Sequence, residues 1–156
     1  MDNMSDVERL IAIEDIKHLK ARRDRALDTK DWATYTAVHA PDHISHSDGE
    51  TRRQGNVVNT DFVIRALHDK VSVHHSHTPE ISFETPTRAR GIWAMEDNIY
   101  WTEDGENHWL RGFGHYHEIY EKRDGQWLFV FRRLTRLRVE TSGKFPGFTS
   151  PVPEKA

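Results

Sequence analysis

The chain has 156 residues, 36% of them hydrophobic and 30% charged, which suits one globular domain with a core large enough to enclose a pocket. No apolar run approaches the roughly 18 residues of a membrane span, and Met1-Asp2-Asn3-Met4-Ser5-Asp6 lacks the basic region and apolar stretch of a signal peptide. A formal net charge of −3 argues against nucleic acid or an anionic membrane as partner; the absence of cysteine excludes disulfides and thiol catalysis and fits a cytoplasmic location.

Ser5-Asp6-Val7-Glu8 reads as a capping box, and it predicts a helix over residues 7–27. Leu10, Ile13, Ile16, Lys20, Arg23 and Leu27 recur at steps of three and four along one face. That face starts apolar and ends basic. Lys20 and Arg23 either reach solvent along the helix flank or enter a cavity. Asp28-Thr29-Lys30-Asp31 breaks the pattern, and a short helix carrying Trp32, Tyr35 and Val38 ends at Pro41-Asp42. A short strand follows over residues 43–46. Asp48-Gly49-Glu50 and Gln54-Gly55-Asn56 mark a polar loop, and Asn59 or Thr60 caps a third helix.

From residue 71 the chain turns to aromatic and β-branched residues. Four long strands are expected over 71–84, 89–101, 108–120 and 126–138, an antiparallel meander. Asp104-Gly105 and Asp124-Gly125 between strands are strong hairpin signals. Residues 1–141 form one domain, and 142–156 an irregular tail rich in glycine and proline. Helices followed by strands indicate an α+β fold, and strands of this length must coil into a cup that helices can cover. The concave side of such a cup is the expected binding site.

Eleven histidines stand out, three of them in His74-His75-Ser76-His77 and two in His115-Tyr116-His117. Imidazole carries protons near neutral pH and also binds metals. His75 and His77 share one strand face and His74 takes the other, so a metal site would use His75, His77 and His115 or His117. No familiar ligand spacing is complete, which disfavours metal. Tyr116 falls on the inward face of its strand with Gly114 and Glu118, leaving Phe113, His115, His117 and Ile119 outside.

The stretch from Ile13 through Asp28-Thr29-Lys30-Asp31-Trp32 to Ala40-Pro41-Asp42 resembles the opening of SnoaL-like proteins in the nuclear transport factor 2-like superfamily. The strand around Val73-His74-His75 and the hairpin Asp124-Gly125-Gln126-Trp127 match the same family. The resemblance implies a cone-shaped α+β barrel of cystatin-like type, a curved antiparallel sheet wrapped around N-terminal helices and an apolar cavity. In its catalytic members, which include scytalone dehydratase, bile acid 7α-dehydratase and hexachlorocyclohexane dehydrochlorinase, a strand histidine removes a proton and an aspartate at the end of the first helix orients it. Those positions are His74 and Asp28 here. By the same resemblance Arg23, Asp97 and Arg132 become substrate-binding or leaving-group residues, with Arg133 the alternative to Arg132, and Tyr116 joins them from its inward face. No metal or organic cofactor is implied, and a homodimer or homotrimer is. Where scytalone dehydratase carries two tyrosines this chain has Leu27 and about Ser47, so scytalone itself is disfavoured as substrate.

A neutral imidazole held by a carboxylate is a base matched to pH 7. The expected activity is a cofactor-independent lyase acting on a small, apolar, cyclic substrate. An isomerase or cyclase would use the same base, and a non-catalytic binding or assembly role is the competing class, because scaffold alone does not fix function.

Overall fold

The computed structural model describes residues 4–47 and 52–143. The loop expected at Asp48-Gly49-Glu50 and the tail beyond residue 143 lie outside them. The elements in order are α1 (Asp6–Asp28), α2 (Trp32–Ala37), β1 (His39–Ser47), β2 (Arg53–Gln54), α3 (Asn56–Leu67), β3 (Val71–Thr85), β4 (Arg88–Glu103), β5 (Glu106–Arg123) and β6 (Gln126–Thr141).

The capping box forms as read. The Glu8 amide donates to Ser5 Oγ at 3.3 Å, and the Ser5 amide donates to Glu8 Oε2 at 2.8 Å. The buried stripe of α1 runs Ala12, Ile16, Leu19, Lys20, Arg23, Ala26 and Leu27. Leu10, expected on this face, is 63% exposed. Repeated steps of three each rotate by about 60° on a helix of 3.6 residues per turn, so Leu10 has turned away from Ile16. Lys20 and Arg23 do not reach solvent: each is 1% exposed.

Asp31 caps α2, accepting from the Thr34 amide at 3.1 Å. The third helix starts earlier than expected, at Asn56 behind Gly55, whose φ of 98° suits glycine. Asn59 and Thr60 are therefore buried residues inside α3 and not its cap. The Asn56 side chain donates to the Thr36 and His39 carbonyls, at 3.3 and 3.2 Å, and ties α3 to α2 and β1. The strand expected at 43–46 runs longer, from His39 to Ser47, and Pro41 sits where its ladder with β6 is interrupted between His39 and Ile44.

One sheet carries six strands in the order β2-β1-β6-β5-β4-β3. It is curved but not closed into a barrel, and β3 and β2 remain its edges. Nor is it wholly antiparallel, since β1 runs parallel to β6. The meander β3–β6 is antiparallel, and both Asp-Gly turns adopt positive φ at both residues (51° and 80°, 50° and 81°). Along β5 the faces alternate as expected: Tyr116 and Glu118 are buried inward, while Phe113, His115, His117 and Ile119 are half-buried on the other side.

The apolar core has two parts. One gathers Ile16, Leu19, Trp93, Tyr120, Trp127 and Phe129, the other Leu27, Tyr35, Leu67, Ile99, Trp101 and Leu110. On α1 the buried charges Lys20, Arg23 and Asp24 fall between the residues of the two parts.

At Gly114 the β5–β6 ladder shifts register, and a Cβ there would overlap the Thr135 carbonyl oxygen. Backbone cannot yield as a flexible side chain would. Gly114→Ala should lower the unfolding free energy by about 1–3 kcal/mol in urea denaturation. A change within about 0.5 kcal/mol would mean that the seam accommodates a side chain.

Candidate active site

α1 lies against the edge strand β3, and the local sequence explains how. Asp24 and Asp28 are one helical turn apart, and Ser72, His74 and Ser76 share one strand face. The Ser76 hydroxyl donates to Asp24 at 2.6 Å, and the Ser72 hydroxyl to Asp28 at 2.9 Å. Asp28 also accepts the His74 backbone amide at 2.7 Å and faces His74 Nδ1 at 2.7 Å. A carboxylate only accepts, so Nδ1 carries the hydrogen and the neutral ring keeps its lone pair on Nε2. The His74 side chain is 6% exposed. It forms the wall between an inner cavity and an outer groove lined by Asp24, Asp28 and Ser76.

The inner cavity measures about 80 Å³, room for several waters or one small ring. Leu27, Leu67, Ile99, Leu110 and Leu134 form its apolar wall. Arg23, His74, Asp97, Tyr116 and Arg132, five of the six residues singled out in the sequence, line it as well, and Asp28 stands behind His74. The alternation of β6 decides between its two arginines: Arg132 is buried and Arg133 exposed.

Each polar wall residue has a definable state. Arg23 bonds Asp24 at 2.6 Å and donates to the Tyr35 hydroxyl at 3.3 Å. Asp97 sits opposite His74 in the β3–β4 register, and both its oxygens accept from Arg136, at 2.8 and 2.7 Å. Asp97 thus stands in the cavity as half of a bidentate ion pair. Gly112 makes room for that pair, since a Cβ there would overlap both partners. Arg132 stacks its guanidinium 4.2 Å above the Tyr116 ring.

Beside the cavity Lys20 donates to Glu118 at 2.5 Å, and its ammonium lies 3.9 Å from the centre of the Tyr116 ring. Burial pushes Lys20 down and Glu118 recovers part of the loss, leaving it at about 8. Burial would raise Asp24, but Lys20 and Arg23 prevail and hold it at about 2. Tyr120 donates to Glu118 at 2.6 Å and receives from Trp93 at 2.7 Å.

The sequence reading did not single out Arg136, Arg53, Ser72, Ser76, His39 or His43 as site residues. The alternation Ser72-His74-Ser76 opposite Asp24 and Asp28 was a usable signal. His39 and His43 offered none. Their rings lie 4.5 Å apart in the core, each Nδ1 donating to a backbone carbonyl. Burial, with Arg23 and Arg132 nearby, holds both neutral, His43 down at about 3. His75 and His77 face outward, with Glu96 at 3.2 and 3.6 Å. Among the described residues no group of three or more His, Cys, Asp or Glu side chains is placed to hold a metal ion. No described helix is long and apolar enough to cross a membrane.

Helices packed on one face of a curved sheet, around a cavity walled in part by His74 with Asp28 behind it, define a pocket protein of the nuclear transport factor 2-like class. The SnoaL-like domain model matches residues 8–133, and the chain belongs to that family. Among solved structures, a type 2 hexachlorocyclohexane dehydrochlorinase superposes with a TM-score of 0.79 at 18% identity, covering 97% of this chain and 100% of its own. A scytalone dehydratase-like protein from Novosphingobium aromaticivorans gives 0.78 at 18% identity over 87% and 91%. A protein with a cystatin-like fold from Nostoc punctiforme gives 0.64 at 19% identity over 87% and 95%. At these identities the likeness is one of fold.

Asp24 ties acid stability to this site. Its carboxyl is held at about 2 in the folded chain against an ordinary 3.8. Between those values the unfolded chain binds more protons, so stability rises with pH. The contribution, on the order of 2 kcal/mol, is fully present above the ordinary value and is lost as pH falls toward the folded one. Asp24→Asn should flatten the acid limb of urea stability measured from neutral to strongly acid pH. An unchanged limb would assign it to other carboxylates.

Proposed function

We propose that the chain is a cofactor-independent lyase that eliminates a small group from a compact, largely apolar cyclic substrate. The observation that carries the reading is the Asp28–His74 pair at 2.7 Å, with His74 forming part of the cavity wall. The fold neighbours named for dehydrochlorination and scytalone dehydration support the same class.

In this reading His74 Nε2 takes a proton from a substrate carbon. The C–H electrons form the new double bond, and the leaving group departs with its own bonding pair. Asp28 fixes the ring, keeps the hydrogen on Nδ1 and stabilises the imidazolium as it forms. Ser72 and the His74 backbone amide fix Asp28 in turn. Arg132, Tyr116 and Arg23 present donors to negative charge developing across the cavity, where low polarity strengthens them. Asp97 holds Arg136 in the wall.

An isomerase would share the first step and return the proton to another carbon. The test therefore reads the shared step and the outcome separately. Cyclic ketones with and without a β-hydroxyl or β-halide are incubated with the protein in D2O and followed by NMR. Exchange at the α-carbon should be accelerated, and substrates bearing a leaving group should give the unsaturated product. His74→Ala should lower the rate by about 10²–10⁴-fold with the fold intact by circular dichroism. A loss below about tenfold would remove His74 from the role of base. A shifted double bond with no loss of the leaving group would make the enzyme an isomerase.

A further inference from the structure

The charged side chains that line the cavity are mostly cationic. Among the described residues four arginines line it, Arg23, Arg53, Arg132 and Arg136, against one carboxylate, Asp97. Asp97 is fully engaged by Arg136, and Arg23 is matched by Asp24 behind the wall. Glu118 is matched by Lys20 at 2.5 Å. Arg132 Nε comes only within 3.9 Å of Glu118 Oε1, the oxygen that Lys20 already holds. That is beyond hydrogen-bond length.

The donors tell the same story. Arg132 Nε, Arg23 Nε and the Tyr116 hydroxyl are buried and have no hydrogen-bond partner among the described residues. Tyr116 and Arg23 are each 1% exposed and Arg132 is 9% exposed. The two guanidinium centres lie 4.2 and 5.6 Å from the Tyr116 ring. A guanidinium cannot shed its proton to escape burial. A buried charge with unspent donors is destabilising until an acceptor of opposite charge arrives. The rest of the wall is apolar, and His74 stands in the same cavity.

We propose that the substrate is a small cyclic carboxylate, whose carboxylate group is seated against Arg132 and the Tyr116 hydroxyl, with Arg23 alongside, while its ring lies on the leucine and isoleucine wall near His74. The proposal rests on the reading of this cavity as the substrate site, and it adds what that reading leaves open, the charge of the substrate. Arg132 and Tyr116 become specificity-determining residues. Neutral ring compounds of the same shape would leave the three donors unspent and bind weakly. A water cluster bridging the arginines to the bare Nε2 atoms of His39 and His43 would satisfy the donors without selecting charge, so the experiment compares charged and neutral isosteres.

The full chain is titrated calorimetrically with benzoate and cyclohexanecarboxylate, and with benzamide and cyclohexanecarboxamide, in a chloride-free buffer. The carboxylates should bind about tenfold tighter or more, since charge-assisted bonds are roughly twice as strong as neutral ones. Arg132→Gln should abolish the preference. Tyr116→Phe, which keeps the ring stack and the packing, should reduce it several-fold, so the result does not depend on how well the arginine variant folds. His75→Ala, on the outer face of β3, should keep the preference in full. Equal binding of acids and amides, or a preference that survives both substitutions, overturns the proposal. So does chloride that competes with benzoate at equal concentration, which would make this a halide site. A carboxylate preference in a protein that catalyses no carbon exchange would leave the anion site standing and remove the lyase reading. Exchange on neutral ketones without any carboxylate preference would do the reverse.

Discussion

The structure depends on how α1 is fastened to β3. The sheet does not close on itself, so β3 is an edge with unpaired backbone groups. Asp28 takes one of them, the His74 amide, and then uses its remaining capacity on Ser72 and the His74 ring. Asp24 repeats the device one turn earlier with Ser76. Two carboxylates at helical spacing thus grip three residues at strand spacing. The edge is protected, α1 is pinned in depth and rotation, and the histidine is aimed by the same bonds.

That rotation decides the chemistry of the interior. Once the aspartates face β3, the adjoining face of α1 must carry Lys20 and Arg23 into the core. An apolar core tolerates them only because the sheet supplies Glu118 and α1 itself supplies Asp24. The charged turn divides the apolar core in two, and the cavity occupies the side toward α3. Lys20, pressed onto Tyr116 and bonded to Glu118, acts as a strut between helix and sheet. Arg132 approaches Tyr116 as well, and it shares the Glu118 carboxylate with Lys20 at the longer distance of 3.9 Å.

Much of this could be read from the sequence because it is local. The capping box, the helical break at Asp28, both Asp-Gly turns and the face alternation of β5 rest on contacts a few residues apart. The pairing of Asp28 with His74, 46 positions apart, was legible only through the family resemblance. What the sequence hid is long-range. Periodicity puts Lys20 on a face but cannot show that Glu118, 98 positions on, waits there. Nothing local pairs Asp97 with Arg136 or sets β1 parallel to β6. Leu10 misled for a simpler reason: steps of three drift around a helix, and the true stripe is anchored by Ala12 and Ile16. The start of α3 was missed because Gly55 supplies the turn while Asn56 spends its side chain on neighbouring carbonyls.

The parallel pairing of β1 with β6 has a consequence for the order of assembly. Apart from the two-residue strand β2, β1 has no strand neighbour until β6 has formed. β6 also brings Arg132, Leu134 and Arg136 into the cavity. During synthesis Asp28 and His74 emerge before β6, whose Arg132, Leu134 and Arg136 form the last side of the chamber. Docking of the final strand both seals β1 into the sheet and completes the chamber. Contacts of such sequence separation are slow to form. Completion of the cavity therefore depends on pairing of the strand that lies farthest along the chain from α1.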